Sequence, residues 1–137
     1  EGNRRVYVDA GKAASRLPLV VYRKNLGELG ARLRAAGATP VLMTEPRWGG
    51  DARKNGIGEN PNRALEPYVL ACREVAAELQ VPLVDHFDHW TQAEAAGTDL
   101  GVWTTDQCHP NPAGHRELAD RIVPVVEALL KSKPVGK

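Results

Sequence analysis

Trp103-Thr104-Thr105-Asp106-Gln107-Cys108-His109-Pro110-Asn111-Pro112-Ala113-Gly114-His115 is the stretch on which the reading of this chain turns. Asp106 and His109 stand three residues apart, directly ahead of a well-marked helix start in which Asn111 suits the N-cap and Pro112 the first helical position. If the segment turns as its prolines suggest, the Asp106 carboxylate accepts a hydrogen bond from one imidazole nitrogen of His109. That fixes the tautomer and leaves the other nitrogen free as a base. A plainer alternative is a turn-forming Asp beside a half-buried His that precedes a proline. Beyond the turn, Leu118, Ile122, Val126 and Leu129 recur at helical spacing and are expected to form the buried stripe of a closing helix. His115 sits one turn into it, facing either the loop or the surface.

Upstream, periodicity alternates between helix and strand. Leu19, Tyr22, Leu26, Leu29 and Leu33 predict a helix that Ser15 caps and Gly37 ends, with Gly27 and Gly30 each costing about 1 kcal/mol relative to Ala unless close packing justifies them. Thr39 to Thr44 reads as a buried parallel strand, Leu65, Val69, Cys72, Val75, Ala76 and Leu79 as a second helix, and Val81-Pro82-Leu83-Val84-Asp85 as the next strand. Two strands joined by a helix make a right-handed crossover. The long polar loop from Glu45 to Asn62 leaves the carboxyl end of the first strand, where open α/β sheets bind ligands. Glu45, Arg47 and Trp48 are therefore candidates for lining a substrate cleft, against the alternative of a surface loop with one tucked Trp.

Asp-x-x-His-Pro-Asn-x-x-Gly-His, from Asp106 to His115 and followed by an amphipathic helix, resembles the last sequence block of the SGNH hydrolases, also called GDSL esterases and lipases. The likeness extends upstream through the strand, helix, strand order to about Ser15. It implies an α/β fold, a flavodoxin-like three-layer α/β/α sandwich, of which this chain supplies the last two parallel strands and three to four helices. It also implies ester hydrolysis by a Ser-His-Asp triad, with Asp106 and His109 as two of its members, a small-molecule ester as substrate, often a short acyl group such as acetate on a sugar, and no cofactor. The family's Gly-Asp-Ser block has no counterpart here: the only serines are Ser15 and Ser132, the second in a basic tail. Aligned through Tyr7-Val8-Asp9, the family's oxyanion Asn falls on Arg4, so an oxyanion role for Asn3 requires the end loop to shift by one residue.

Composition narrows the partners. In 137 residues, 42% are apolar and 26% charged, which is ordinary for one globular domain. The net charge is only +1, from 18 basic against 17 acidic residues, and the basic ones are spread along the chain, which argues against a nucleic-acid partner. No apolar run approaches the roughly 20 residues of a membrane span, and nothing points to a membrane surface. Two cysteines are too few for a disulfide framework. Cys72 falls on an apolar helix face. Cys108, beside His109, raises a Cys-His dyad, although adjacent side chains in a turn usually point apart.

Two rival functions remain on the sequence alone. Asp85-His86-Phe87-Asp88-His89-Trp90 offers ligands for a metal-dependent hydrolase together with His109, but His-x-x-His without a third ligand at defined spacing is weak. A strand end passing into a helix with acids in its first turn, Phe87 and Trp90 packing beneath, accounts for the same residues. A non-catalytic remnant of the fold would instead bind a carbohydrate or a partner through Trp48, Trp90 and Trp103.

Only two strands are legible, both patterned for burial on two faces, within an α/β body over 15–130 flanked by a loop over 1–14 and a basic tail over 131–137. The chain, which begins at Glu1 without an initiator Met, is expected to be the carboxyl-terminal portion of one SGNH-type domain. The missing strands, the nucleophilic Ser and the main oxyanion donors are expected from a missing amino-terminal segment or a complementary chain.

Overall fold

The computed structural model describes residues 17–132. Its elements run α1 (Leu19–Ala35), β1 (Leu42–Met43), α2 (Asn62–Glu78), β2 (Leu83–Val84), α3 (His86–Ala95), a 3-10 turn (Leu100–Val102) and α4 (Pro112–Ser132). The expected strand, helix, strand unit is present. β1 and β2 pair in parallel, with Leu42 beside Leu83 and Met43 beside Val84. No described helix is long and apolar enough to cross a membrane.

Side-chain alternation in the strands sorts the layers. Leu42 and Leu83 turn to the face where Cys72, Val75 and Ala76 of α2 form the core, joined from further out by Leu26 of α1, Leu79 and Val81. Met43 and Val84 turn to the opposite face, where α4 crosses β2. The two helical layers on either side of a parallel sheet are those of the family fold, built among the described residues on two strands. Gly30 is buried because α1 lies close to α2 there: a Cβ at this position would overlap the Leu79 side chain. That close approach is the packing that justifies a glycine inside the helix.

Three expectations need correction. Leu29, on the predicted stripe of α1, is 56% exposed, and Leu19 and Leu33 are also exposed, while Tyr22 packs edge-on against Tyr68 of α2 and Leu26 joins the core. On α4, Gly114 is the only buried residue among those described, and Val126 of its predicted stripe is exposed. In both helices the described sheet, two strands wide, leaves part of the apolar stripe uncovered. The cap of α1 also differs, since the helix starts at Leu19 with Pro18 in the N-cap position and no side-chain cap. Ser15, Asn3, the loop over 1–14 and residues 133–137 of the tail lie outside the described residues, whereas Lys131 and Ser132 close α4 as helix.

Candidate active site

Residues 103–111 form a small hairpin at the carboxyl end of the sheet. An antiparallel bridge joins Thr104 to Pro110, the Thr105 N–H donates to the His109 carbonyl (2.9 Å), and the Asn111 N–H donates to that of Trp103 (2.9 Å). Asn111 then works in both directions. Its Oδ1 accepts from Ala113 and Gly114 N–H groups at 2.9 and 3.1 Å, capping α4, and its Nδ2 donates to the carbonyls of Val102 and Thr104 at 3.0 and 3.2 Å. One amide thus bolts the hairpin to the helix start. Gly114 leaves room for this: a Cβ there would overlap the Trp103 carbonyl.

Within the hairpin, Asp106 Oδ2 lies 2.8 Å from His109 Nδ1, while Oδ1 accepts the backbone N–H groups of His109 (2.8 Å) and Cys108 (3.2 Å). The His109 N–H, then its imidazole, hold the Asp106 carboxyl below the usual carboxylate range, against a slight opposing effect of burial. The carboxylate fixes Nδ1 as the protonated nitrogen, which leaves Nε2 as the base. The His109 side chain is 75% exposed and that of Asp106 54%, so so open an ion pair contributes little stability by itself. The turn, not the pair, sets the geometry. Burial, then Asp106 and Glu45, push the Cys108 thiol up, keeping it protonated and a poor nucleophile.

The other candidates are placed as follows. Trp103 stacks on His89 (6.0 Å between centroids) and tilts against the fully buried Trp90 (5.4 Å), so it is the floor of the hairpin. Glu45 is exposed at the end of β1. Arg47 is drawn away from solvent into a 3.1 Å ion pair with Glu94 of α3, with its guanidinium 6.0 Å from the centre of the Phe87 ring. The Trp48 backbone is bracketed by the Asn62 side chain, which accepts its N–H and donates to its carbonyl, each at 2.8 Å. Loop and hairpin meet where the Gly49 N–H donates to the Gln107 carbonyl (2.9 Å).

Sequence reasoning missed Asn62, Gln107 and a knot at the strand ends. There the Thr44 hydroxyl donates to Asp85 (2.9 Å) and accepts the Phe87 N–H, while Arg73 donates twice to the same carboxylate (2.6 and 3.2 Å). The register was the available signal: if Met43 pairs with Val84, Thr44 stands beside Asp85. Asp85 also caps α3 through the Asp88 N–H, so the acids and histidines here serve a helix start. His89 pairs with Glu117 (3.4 Å), His86 is buried, and no group of three or more His, Cys, Asp or Glu side chains among the described residues is arranged to hold a metal ion. Phe87 and Trp90 pack inside, as expected.

A crevice of about 280 Å³ between α3 and α4 is lined by Asp85, Asp88, His89 and Arg121 among others, and neither Asp106 nor His109 borders it. Ser132, the only described serine, ends α4; at 1.5 Å per residue it is roughly 30 Å from the start of that helix and cannot serve His109.

A parallel sheet between helical layers, with an Asp-His pair on the loop before the last helix, makes a partial α/β fold of the SGNH/GDSL kind. The chain belongs to the GDSL-like Lipase/Acylhydrolase family, whose model matches residues 6–117. Among solved structures it is similar to the acetyl xylan esterase AlAXEase, with a TM-score of 0.67 and 19% identity over 91% of this chain and 63% of that one. LAE5, described as an alpha/beta hydrolase enzyme from the metagenome of Lake Arreo, Spain, matches with a TM-score of 0.65 and 24% identity over 89% of this chain and 54% of that one. A variant of Axe2, an acetylxylan esterase from Geobacillus stearothermophilus, matches with a TM-score of 0.63 and 20% identity over 80% of this chain and 47% of that one. The chain therefore spans about half the length of most of the structures it matches. No curated protein sequence matches it.

Proposed function

We propose that this chain supplies the base half of a serine esterase, acting on short acyl esters, with acetyl groups on carbohydrate as the first class to test. The 2.8 Å contact between Asp106 Oδ2 and His109 Nδ1, with Nε2 left open at the carboxyl end of the sheet, carries the reading. In the reaction, His109 Nε2 takes the proton of a Ser hydroxyl as its oxygen attacks the ester carbonyl. The same proton is passed to the departing alcohol, and water then releases the acyl group by the same route. Asp106 orients the imidazole and stabilises its cation. No cofactor enters the scheme.

The Ser and the oxyanion donors come, on this proposal, from a segment that completes the sheet along the edge of β1 that no described strand pairs, with residues 1–137 forming the carboxyl-terminal portion of the single domain so made. The leading occupant is an amino-terminal segment of the same fold; a separate complementary chain is the alternative. Asn3 is a donor only if its loop shifts to reach the carbonyl. Glu45 lines the cleft, Trp48 and Trp103 form its walls, and Arg47 contributes by fixing the loop against Glu94. Exposure of the pair is what a half-site awaiting its other wall would show.

The lack of a serine near His109 among the described residues also favours a second reading, a non-catalytic member that binds carbohydrate or a partner. The two part on one experiment. In the completed enzyme, a fluorophosphonate labels a serine, and His109→Ala lowers kcat for an aryl acetate by about 10³-fold or more. Retention of most activity by that variant removes His109 from the mechanism, and binding of acetylated xylo-oligosaccharide with neither labelling nor turnover favours the second reading.

A further inference from the structure

Gln107 stands between the two members of the pair and has no task in the chemistry above. Its backbone is left-handed, with φ of 68°, a region that Gly or Asn fills readily and other residues seldom do. Its surroundings hold it there. The Gln107 N–H donates to the Thr104 hydroxyl (3.1 Å), which is buried and itself donates to the Leu100 carbonyl (2.9 Å). Its carbonyl accepts the Gly49 N–H. Its side-chain amide lies between two glycines: a Cβ on Gly49 would overlap the amide oxygen, and one on Gly101 would come within 2.9 Å of the amide nitrogen. The loop after β1 and the 3-10 turn thus both grip the residue at which the hairpin reverses.

We infer that Gln107 is a positioning residue for the Asp106–His109 pair, clamped in its left-handed conformation by Gly49 and Thr104 so that the loop after β1 sets how the carboxylate meets the imidazole. The inference rests on the role proposed for that pair and concerns its geometry alone. Rotation at Gln107 swings Asp106 Oδ1 off the His109 and Cys108 N–H groups, and Oδ2 leaves Nδ1 with it. Two glycines are required because each makes space for one end of the amide.

The test follows the Asp106 carboxyl by ¹³C NMR and the His109 Nδ1–H resonance across pH in the full chain. Neither signal needs turnover, so the outcome is separate from whether esters are hydrolysed. In Gly49→Ala, Asp106 should titrate at higher pH than in the wild type and the Nδ1–H signal should broaden. Adding Gln107→Gly, which removes the overlapping amide and suits positive φ, should return both towards wild type. A folded Gly49→Ala variant with both signals unchanged overturns the inference, and so does failure of the second substitution to restore them. If Gly49→Ala does not fold by circular dichroism, Gln107→Ala decides: an upward shift of the Asp106 titration supports the clamp, and an unchanged one overturns it.

Discussion

The hairpin over 103–111 and the sheet it sits on are built on opposite plans. In the hairpin, the backbone of Trp103, Thr105, Gln107, His109 and Asn111 is paired within the segment or to the adjoining turn and loop, and an aromatic floor of Trp103, Trp90 and His89 lies beneath it. The sheet has two residues in each strand. Among the described residues no strand pairs with the outer edge of β1; the Met43 side chain is 46% exposed, and Leu130 on α4 is 68% exposed. Local hydrogen bonding makes the hairpin that carries the Asp106–His109 pair self-sufficient. A parallel sheet cannot be, because its hydrogen bonds and both of its faces depend on neighbours distant in sequence.

The sharpest way to break the comparison is to remove the floor. Trp90 is wholly buried, and its indole N–H has no partner, so its contribution is packing rather than hydrogen bonding. Trp90→Ala should cost about 3–5 kcal/mol in urea unfolding and release Trp103 to solvent, seen as a red shift in its fluorescence. A cost below about 1 kcal/mol would mean that the hairpin stands on its backbone alone.

How much of this was legible follows the same division. The stripe of α2, the two strands and the start of α4 at Asn111-Pro112 declare themselves through periodicity and capping, which are local signals. The spacing of Asp106 and His109 likewise encodes its own contact. Gln107 was invisible because its left-handed backbone is imposed by Thr104 and Gly49, and Gln carries no preference for it. Arg47 reads as a free cation until Glu94, far along the chain, is brought beside it. The stripes of α1 and α4 were read correctly as apolar, but apolar spacing says which side seeks cover and not whether this chain provides it.

Acid sharpens the contrast without a substitution, and with a smaller effect. Burial works against the Asp85 charge, but hydrogen bonds from the Arg73 guanidinium, the Asp88 N–H and the Thr44 hydroxyl outweigh it and hold the carboxyl below the usual range. A depressed carboxyl stabilises the fold above its unfolded pKa and loses that contribution as pH falls through the lower, folded value. Stability should therefore decline below about pH 4, and in Asp85→Asn part of that decline should vanish. An identical acid limb in the variant would show that the knot at the strand ends does not couple folding to pH.

The smallest effect on the chain itself should come from the open edge, and its smallness is informative. Met43→Lys places a charge on a face already exposed, so unfolding of the chain alone should change by no more than about 0.5 kcal/mol. If a further segment covers that face, the same lysine is buried without a partner when the sheet is completed, and a buried unpaired charge is costly. Assembly with that segment, and the ester hydrolysis that depends on it, should then fall by at least tenfold while the Asp106–His109 contact, built within its own hairpin, is unaltered. A marked loss of stability in the uncomplemented chain would instead place Met43 in this chain's own core, and the two regions would no longer differ in the way their hydrogen bonds and exposure indicate.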